Sequence, residues 1–391
     1  MDKRLLTSGG TTHTIVLHEV AARASSPRLA LAHCIDLVYF DMQCLYGMLS
    51  GSLLIQDDAT PTDTAPEEED EAVSADGDNA EQDRADTKYR EASAAAVAKC
   101  ADDTKGQTCF ICMEGIHPET NEGLVRGCSC RGAAGFAHLS CLARQAQVAV
   151  ERADTGWDRW HTCGLCEQDY HGVMLCALGW ACWKTFVDRP ETDNVRRMAI
   201  SVLGNGLYSA KHHEDALFVM EAELSMERRL GAPENNILAA QSNIASTCRS
   251  LGHLEKALRI ERDVYSERVR LDGEEHERTI LAASNYASSL VQLERFEEAK
   301  ILMRKTMRVD RRVLGESNES VLRMRWVYAI ALYNDDAATL DDLREAVATL
   351  EDPERIARRV LGGSHPTTVG IGEALRAVRA TLGRRETPGS A

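Results

Sequence analysis

The sequence predicts a mostly α-helical chain, in which a small metal-stapled finger precedes an α-solenoid of about four helix pairs. Three observations carry this expectation. Aromatic residues make up only 5 % of the 391 residues, against 44 % hydrophobic and 27 % charged, the balance of a globular protein packed with Ala and Leu. Seven of the thirteen cysteines fall in the 58 residues from Cys109 to Cys166. In the C-terminal half a glycine recurs every 42 residues. The length allows two or three domains. The composition excludes collagen-like, mucin-like and fully disordered chains.

The N-terminal part is the least informative. Residues 1–56 mix apolar and polar residues without a clean period. Met1 to Gly10 carries early charges but no following apolar core of a signal peptide. The apolar stretch Leu29 to Ile55 is broken by His33, Asp36 and Asp41. Next comes an acidic run, Glu67-Glu68-Glu69-Asp70-Glu71. Residues 57–86 hold 13 acidic residues against one Arg, a local charge of −12 within a total of −16. Such composition buries too little apolar surface to offset chain entropy, so residues 57–106 are expected to be a disordered linker. The rest of the chain is near neutral and shows no basic footprint, so no nucleic-acid partner is expected.

No run of 18 or more uninterrupted apolar residues exists, so no transmembrane helix is expected. The best apolar stretch, Val173 to Val187, contains Lys184 and reads as a buried or amphipathic helix within a connecting segment, residues 173–194. The expected compartment is the cytoplasm, with the nucleus left open. There, thiols stay reduced, and clustered reduced thiols usually mean metal.

The helical repeat comes from spacing. Gly231, Gly273 and Gly315 are 42 residues apart and Gly362 follows 47 later, each after a Leu or a Leu-Asp pair. Asn243 and Asn285 follow the first two glycines by twelve residues, and Ala245, Ala287 and Ala329 follow the first three by fourteen. A second alanine recurs as Ala216, Ala257, Ala299 and Ala346. Five extra residues around Asn334 to Asp341 account for the longer last interval. A fixed period of this size signals a solenoid. Each glycine is expected to end a helix in a left-handed cap, and each alanine to mark a close approach of paired helices.

Over residues 195–383 this pattern resembles tetratricopeptide repeats, in the 42-residue variety of kinesin light chains. Ser364-His365-Pro366-Thr367 fits the turn before a capping helix at about 367–383, with residues 384–391 as a disordered tail. The resemblance implies protein recognition on a concave surface lined by the first helix of each pair. Asn243 and Asn285 are the candidate peptide-groove residues. The bland alternative is that each amide bonds within its own helix pair or fixes the turn between repeats.

The cysteine cluster reads Cys109-x2-Cys112-x15-Cys128-x1-Cys130-x7-His138-x2-Cys141-x21-Cys163-x2-Cys166. Eight ligands suffice for two closed tetrahedral sites, and thiolates favour zinc over magnesium or calcium. No open coordination position remains, so the two ions are expected to be structural. The strings Cys128-Ser129-Cys130-Arg131-Gly132 and His138-Leu139-Ser140-Cys141-Leu142 make residues 107–172 resemble a RING-CH finger. The rival with the same ligand order, the plant homeodomain finger, usually spaces its third and fourth ligands farther apart. It also wants a Trp where His161 stands.

The RING-CH resemblance implies a cross-brace: Cys109, Cys112, His138 and Cys141 on one zinc, Cys128, Cys130, Cys163 and Cys166 on the other. It implies ubiquitin ligation without a covalent intermediate, by positioning a charged ubiquitin-conjugating enzyme. Ile111, with Leu165 and Trp160, would form the apolar contact with that enzyme, and the repeats would recruit a protein substrate or partner. Two departures weigh against strong catalysis. Gln145 stands where the family commonly has Trp, and Glu167 follows Cys166 where many active fingers have a cation. The alternative is a zinc-stabilised interaction scaffold without ligase activity.

The remaining features read as structural. His117, His161 and His171 are expected to be surface histidines. Cys34, Cys44, Cys100, Cys176, Cys182 and Cys248 have no ligand spacing. Trp157, Trp160, Trp180 and Trp183 suggest a packed seam between the finger and the helix after it. No phosphate-binding loop, nucleophile elbow or zinc-protease helix is present.

Overall fold

The computed structural model describes residues 75–128, 130, 134–152, 156–363 and 365–386. The expectations for residues 1–56, the acidic run and residues 387–391 lie outside them, while residues 384–386, expected in the disordered tail, end the last helix. Among the described residues no strand forms. The helices are α1 (Ala75–Cys100), α2 (Leu139–Glu151), α3 (Gly172–Phe186), α4 (Asn194–Ser209), α5 (His213–Arg229), α6 (Glu234–Ser250), α7 (Leu254–Asp272), α8 (Glu277–Gln292), α9 (Phe296–Thr306), α10 (Asp310–Leu314), α11 (Glu319–Tyr333), α12 (Leu340–Val360) and α13 (Pro366–Glu386), with a 3-10 turn at Gly156–Trp160. They divide into two compact units, residues 75–264 and 265–386, the boundary falling inside α7.

In the first unit, α1 corrects the linker expectation. Residues 75–100, assigned to a disordered linker, are one continuous helix. Its buried stripe is Ala85, Ser93, Ala96 and Cys100, with Tyr89 packed against the core. These residues recur at helical spacing, but all are small or polar, so the stripe hides within an acidic, alanine-rich composition. Lys184 on α3 pairs with Asp86 at 2.7 Å and lies 4.9 Å over the Tyr89 ring. Arg196 on α4 reaches Glu81 at 3.1 Å.

Helix α3 is buried on nearly every side, as its apolar sequence predicts. It crosses α4 closely because two glycines face the contact. A Cβ on Gly206 would stand 2.8 Å from the Leu175 carbonyl oxygen, and one on Gly179 would stand 3.1 Å from that of Val202. The next pairs follow by short turns. Gly231, Gly273, Gly315 and Gly362 all have positive φ, between 64° and 94°, as the cap expectation requires. Ala216, Ala257, Ala299 and Ala346 are fully buried.

A second periodic feature lies in the turn inside each of the first three pairs. Lys211, Gly252 and Glu294 adopt left-handed conformations with φ of 67°, 79° and 58°. Only one is a glycine, so glycine counting does not find the series.

In the second unit, the starts of α8, α11 and α12 are capped by side chains. Asn318 Oδ1 accepts from Ser320 N at 2.8 Å. Thr339 and Asp342 form a reciprocal capping box. The core of α11 includes Trp326 and Tyr328. Gly370 on α13 leaves room for Trp326, whose ring would stand 2.2 Å from a Cβ there. Buried Thr367 donates to Glu319 at 2.6 Å, and Arg325 reaches buried Asp310 at 3.2 Å.

Candidate metal centres

The finger is built from two similar turns. At the first, Met113 N donates to Cys109 O at 2.9 Å, Cys109 N to Glu114 O at 2.9 Å, and Ile111 N points to Cys109 Sγ at 3.4 Å. At the second, Glu167 N donates to Cys163 O at 3.0 Å, Cys163 N to Gln168 O at 2.9 Å, and Leu165 N points to Cys163 Sγ at 3.5 Å. Met113 and Glu167, each four residues after the first Cys of its pair, close these turns with φ of 66° and 54°. The x2 spacing thus folds each pair of sulfurs onto one point. The second pair of each set arrives from elsewhere. A short antiparallel bridge between Val125 and Ala137 leads into His138, and α2 carries Cys141.

Two clusters result: Cys109, Cys112, His138 and Cys141, and Cys128, Cys130, Cys163 and Cys166. In each, the four ligand atoms lie within 4.8 Å of one another, and each could hold a metal ion. These two groupings are the ones that the RING-CH resemblance implies. Cys112 Sγ and Cys141 Sγ lie 3.3 and 3.8 Å from His138 Nδ1, and Cys130 Sγ lies 3.8 Å from Cys163 Sγ.

The electrostatics of each cluster call for a cation. Hydrogen bonds from the Cys128 thiol and from the Leu165 and Cys166 amides hold Cys163 down to about 4, against its burial. That thiolate, with burial, pushes Cys128 up, and burial pushes Cys130 up to about 11. In the other cluster, burial pushes Cys141 up and pushes on Cys109 too. There the amides of Cys112, His138 and Ile111 outweigh it, and Cys109 is lowered. Burial also keeps the His138 imidazole below its ordinary value, hence neutral. Crowded buried sulfurs oppose one another's ionisation, and a cation among them would relieve that.

The other expected residues separate. Ile111 and Leu165, at the tips of the two turns, are 37 % and 52 % exposed. Trp160 is corrected: it is 0 % exposed and packs edge-on to Phe186 at 6.0 Å, so it belongs to the core. His161 is also corrected, being buried with Nδ1 3.5 Å from Asp169. His117 and His171 are half-buried. Trp157, Trp160 and Trp183 form the expected seam with Phe186 in one core, against which Trp180 packs. Cys100, Cys176, Cys182 and Cys248 are buried free thiols, while Cys34 and Cys44 lie outside the described residues.

Asn243 and Asn285 correct the peptide-groove expectation. Asn243 is 1 % exposed, and its Nδ2 reaches Asn205 Oδ1 at 3.5 Å on the neighbouring helix α4. Asn285 is buried as well. Counting 42 residues back leads to Ser201, one helical turn before the true partner Asn205, because the first repeat interval is shorter.

Arg159 was missed. A Cβ on Gly164 would stand 3.5 Å from Arg159 Nη1, so the guanidinium lies beside the Cys163–Cys166 turn. It precedes the pair in sequence, so a search after the last ligand cannot find it.

Fold and site together define a mostly helical protein with two closed four-ligand clusters and C-terminal helix pairs. No protein-family model matches the chain, and no curated protein matches it. Among solved structures, it is similar to kinesin-light-chain TPR-like repeats of Podosopora anserina at 16 % identity and a TM-score of 0.37, covering 56 % of this chain and 95 % of that one. It is also similar to BtubC (BKLC) from P. vanneervenii at 15 % identity and a TM-score of 0.36, covering 65 % and 95 %. Likenesses at this level carry no weight here. The repeat reading rests on the chain's own left-handed glycines and buried alanines.

Proposed function

We propose that residues 107–172 are a two-zinc RING-CH-type finger and that the chain is a ubiquitin ligase whose helix pairs recruit a protein substrate or partner. The observation that carries this is the interleaving of the two clusters, with Ile111 and Leu165 left exposed on the two ligand turns. Interleaved ligands make the loops rigid without a large core. Exposed apolar tips on such loops suit a shallow contact with a ubiquitin-conjugating enzyme.

Zinc is the ion the donors fit. Sulfur at about 2.3 Å and nitrogen at about 2.0 Å from a tetrahedral centre give edges of about 3.8 Å between sulfurs and about 3.5 Å between sulfur and nitrogen. The Cys130–Cys163 separation of 3.8 Å and the His138 separations of 3.3 and 3.8 Å lie near those values. Bound zinc would hold the loops and neutralise the thiolates. The ligands fill its coordination, so any rate gain comes from positioning the charged enzyme. Ile111 and Leu165 would supply apolar contact. Arg159, beside Gly164, would supply the cation that Glu167 does not.

A second reading, a zinc-stabilised scaffold without ligase activity, is favoured by one observation: exposed Glu167 puts a negative charge directly after the last ligand. Autoubiquitination against a panel of conjugating enzymes separates the two. Ubiquitin chains formed with at least one enzyme support the ligase. No transfer with any, from protein holding two zinc ions, leaves the scaffold. Among the described residues no helix is long and apolar enough to cross a membrane.

A further inference from the structure

An open groove of about 410 Å³ lies in the first unit between α1, α3 and the α4–α5 pair. Its wall is mostly apolar, with Ala95 from α1, Val173 and Trp180 from α3, and Leu207 and Phe218 from the helix pair. Lys88 and Asp215 also line it. Phe218 is 76 % exposed, the most exposed of the large apolar side chains described. Neither metal cluster uses any of these residues.

We infer that this groove seats the chain's own segment Phe40–Ile55. That segment has one charged residue, Asp41, and carries Phe40, Met42, Leu45, Tyr46, Met48, Leu49, Leu53, Leu54 and Ile55. So apolar a stretch gains by burying itself. Its methionines suit an irregular groove, because the unbranched thioether adapts to the space available. A groove of this size takes a few side chains of an anchoring segment, the usual mode of peptide-in-groove recognition.

The length of the intervening chain fits. A flexible chain of roughly 19 residues, the number from Gln56 to Ser74, has a root-mean-square span of about 25 Å. The groove begins at Lys88 and reaches Ala95, about 20–30 Å along α1 from Ala75 at 1.5 Å per residue. A tether whose span matches the distance holds its end near the site at millimolar effective concentration. Weak intrinsic affinity then suffices for the segment to occupy the groove most of the time.

The test uses the full zinc-loaded chain with a photoreactive benzophenone side chain in place of Phe218, an exposed position that the fold does not need. Irradiation is expected to yield a monomer cross-linked to a peptide within residues 40–55. Beside it, hydrogen exchange is measured on residues 40–55 in the wild type and in Ala95→Glu, which places a charge on the groove wall at an exposed position. Exchange is expected to rise about tenfold in the variant as the seated segment is released. A cross-linked dimer would overturn the inference in favour of a second copy. Cross-links elsewhere or none, or equal exchange in both proteins, would overturn it outright.

Discussion

Ser93 on α1 donates to Glu122 Oε1 at 2.6 Å, and the other oxygen of the same carboxylate accepts from Ser140 N, at the start of α2, at 2.9 Å. One side chain thus ties the helix before the finger to the helix that carries Cys141. A carboxylate at a helix N-terminus is favoured by the unpaired amides there. Ser93→Ala is expected to cost about 1 kcal/mol and Glu122→Ala about 2–3 kcal/mol, since hydrogen bonds to a charged group are the stronger kind. Melting curves of the two variants, at equal zinc content, check the order.

Metal removal should be felt beyond the finger. Cys109, Cys130 and Cys163 share one core with Ala96 and Cys100 of α1 and with Met174 and Leu178 of α3. Stripping zinc with a strong chelator is expected to loosen α1 and α3 along with the loops. Among the described residues of 265–386 no such cluster forms, and this unit is expected to keep its helicity. Elemental analysis should find two zinc per chain before treatment, and hydrogen exchange should rise in α1 after it. Unchanged exchange in α1 would show that the shared core stands without metal.

What was legible in the sequence is what repeats or coordinates. Ligand spacing is dictated by how a chain turns onto an ion, and cap glycines by backbone sterics, so the eight ligands and the four left-handed glycines could be read directly, while their division into two interleaved sets came from the RING-CH resemblance. Helix α1 could not, because a stripe of Ala85, Ser93 and Ala96 looks like any acidic, alanine-rich segment. Trp160, His161, Asn243 and Asn285 were placed by type. Whether a side chain faces water or the core depends on the neighbouring helix, which no local pattern records. Lys211 and Glu294 show the same limit: their turns take φ > 0 whether or not a glycine is present.

The crossing of α3 and α4 gives a third prediction. A methyl group on Gly206 would meet the backbone of Leu175 at 2.8 Å, where no side chain can move aside. Gly206→Ala is expected to destabilise the first unit by about 1–3 kcal/mol, the usual penalty for overpacking. Gly231→Ala meets nothing within 4 Å and is penalised only through its φ of 64°. Chemical denaturation of both separates crowding from backbone strain.

Glu223 supplies a pH signature. It is buried on α5, and burial raises its carboxyl from an ordinary value near 4.5 to about 8, with the Ser201 hydroxyl opposing and the neighbouring Glu227 adding to the rise. Arg197 is engaged with Glu227 at 3.0 Å, and among the described residues no cation lowers Glu223. The folded chain holds this proton more tightly than the unfolded one. The contribution is therefore complete below about pH 4.5 and is lost as pH rises towards 8. Glu223→Gln, neutral at every pH, is expected to flatten the fall in melting temperature across that window and to melt higher than wild type at pH 8. Parallel curves would show that Glu223 does not titrate there.

The central claim is that the finger positions a charged conjugating enzyme, and single-turnover discharge of ubiquitin from that enzyme to free lysine measures this most directly. Wild type, Ile111→Ala and Arg159→Ala would each be confirmed to hold two zinc ions first. Wild type is expected to accelerate discharge. Each variant is expected to lose about tenfold, equivalent to about 1.4 kcal/mol of transition-state stabilisation. Zinc-loaded wild type that leaves discharge at the rate of the conjugating enzyme alone, across the panel, would contradict the claim.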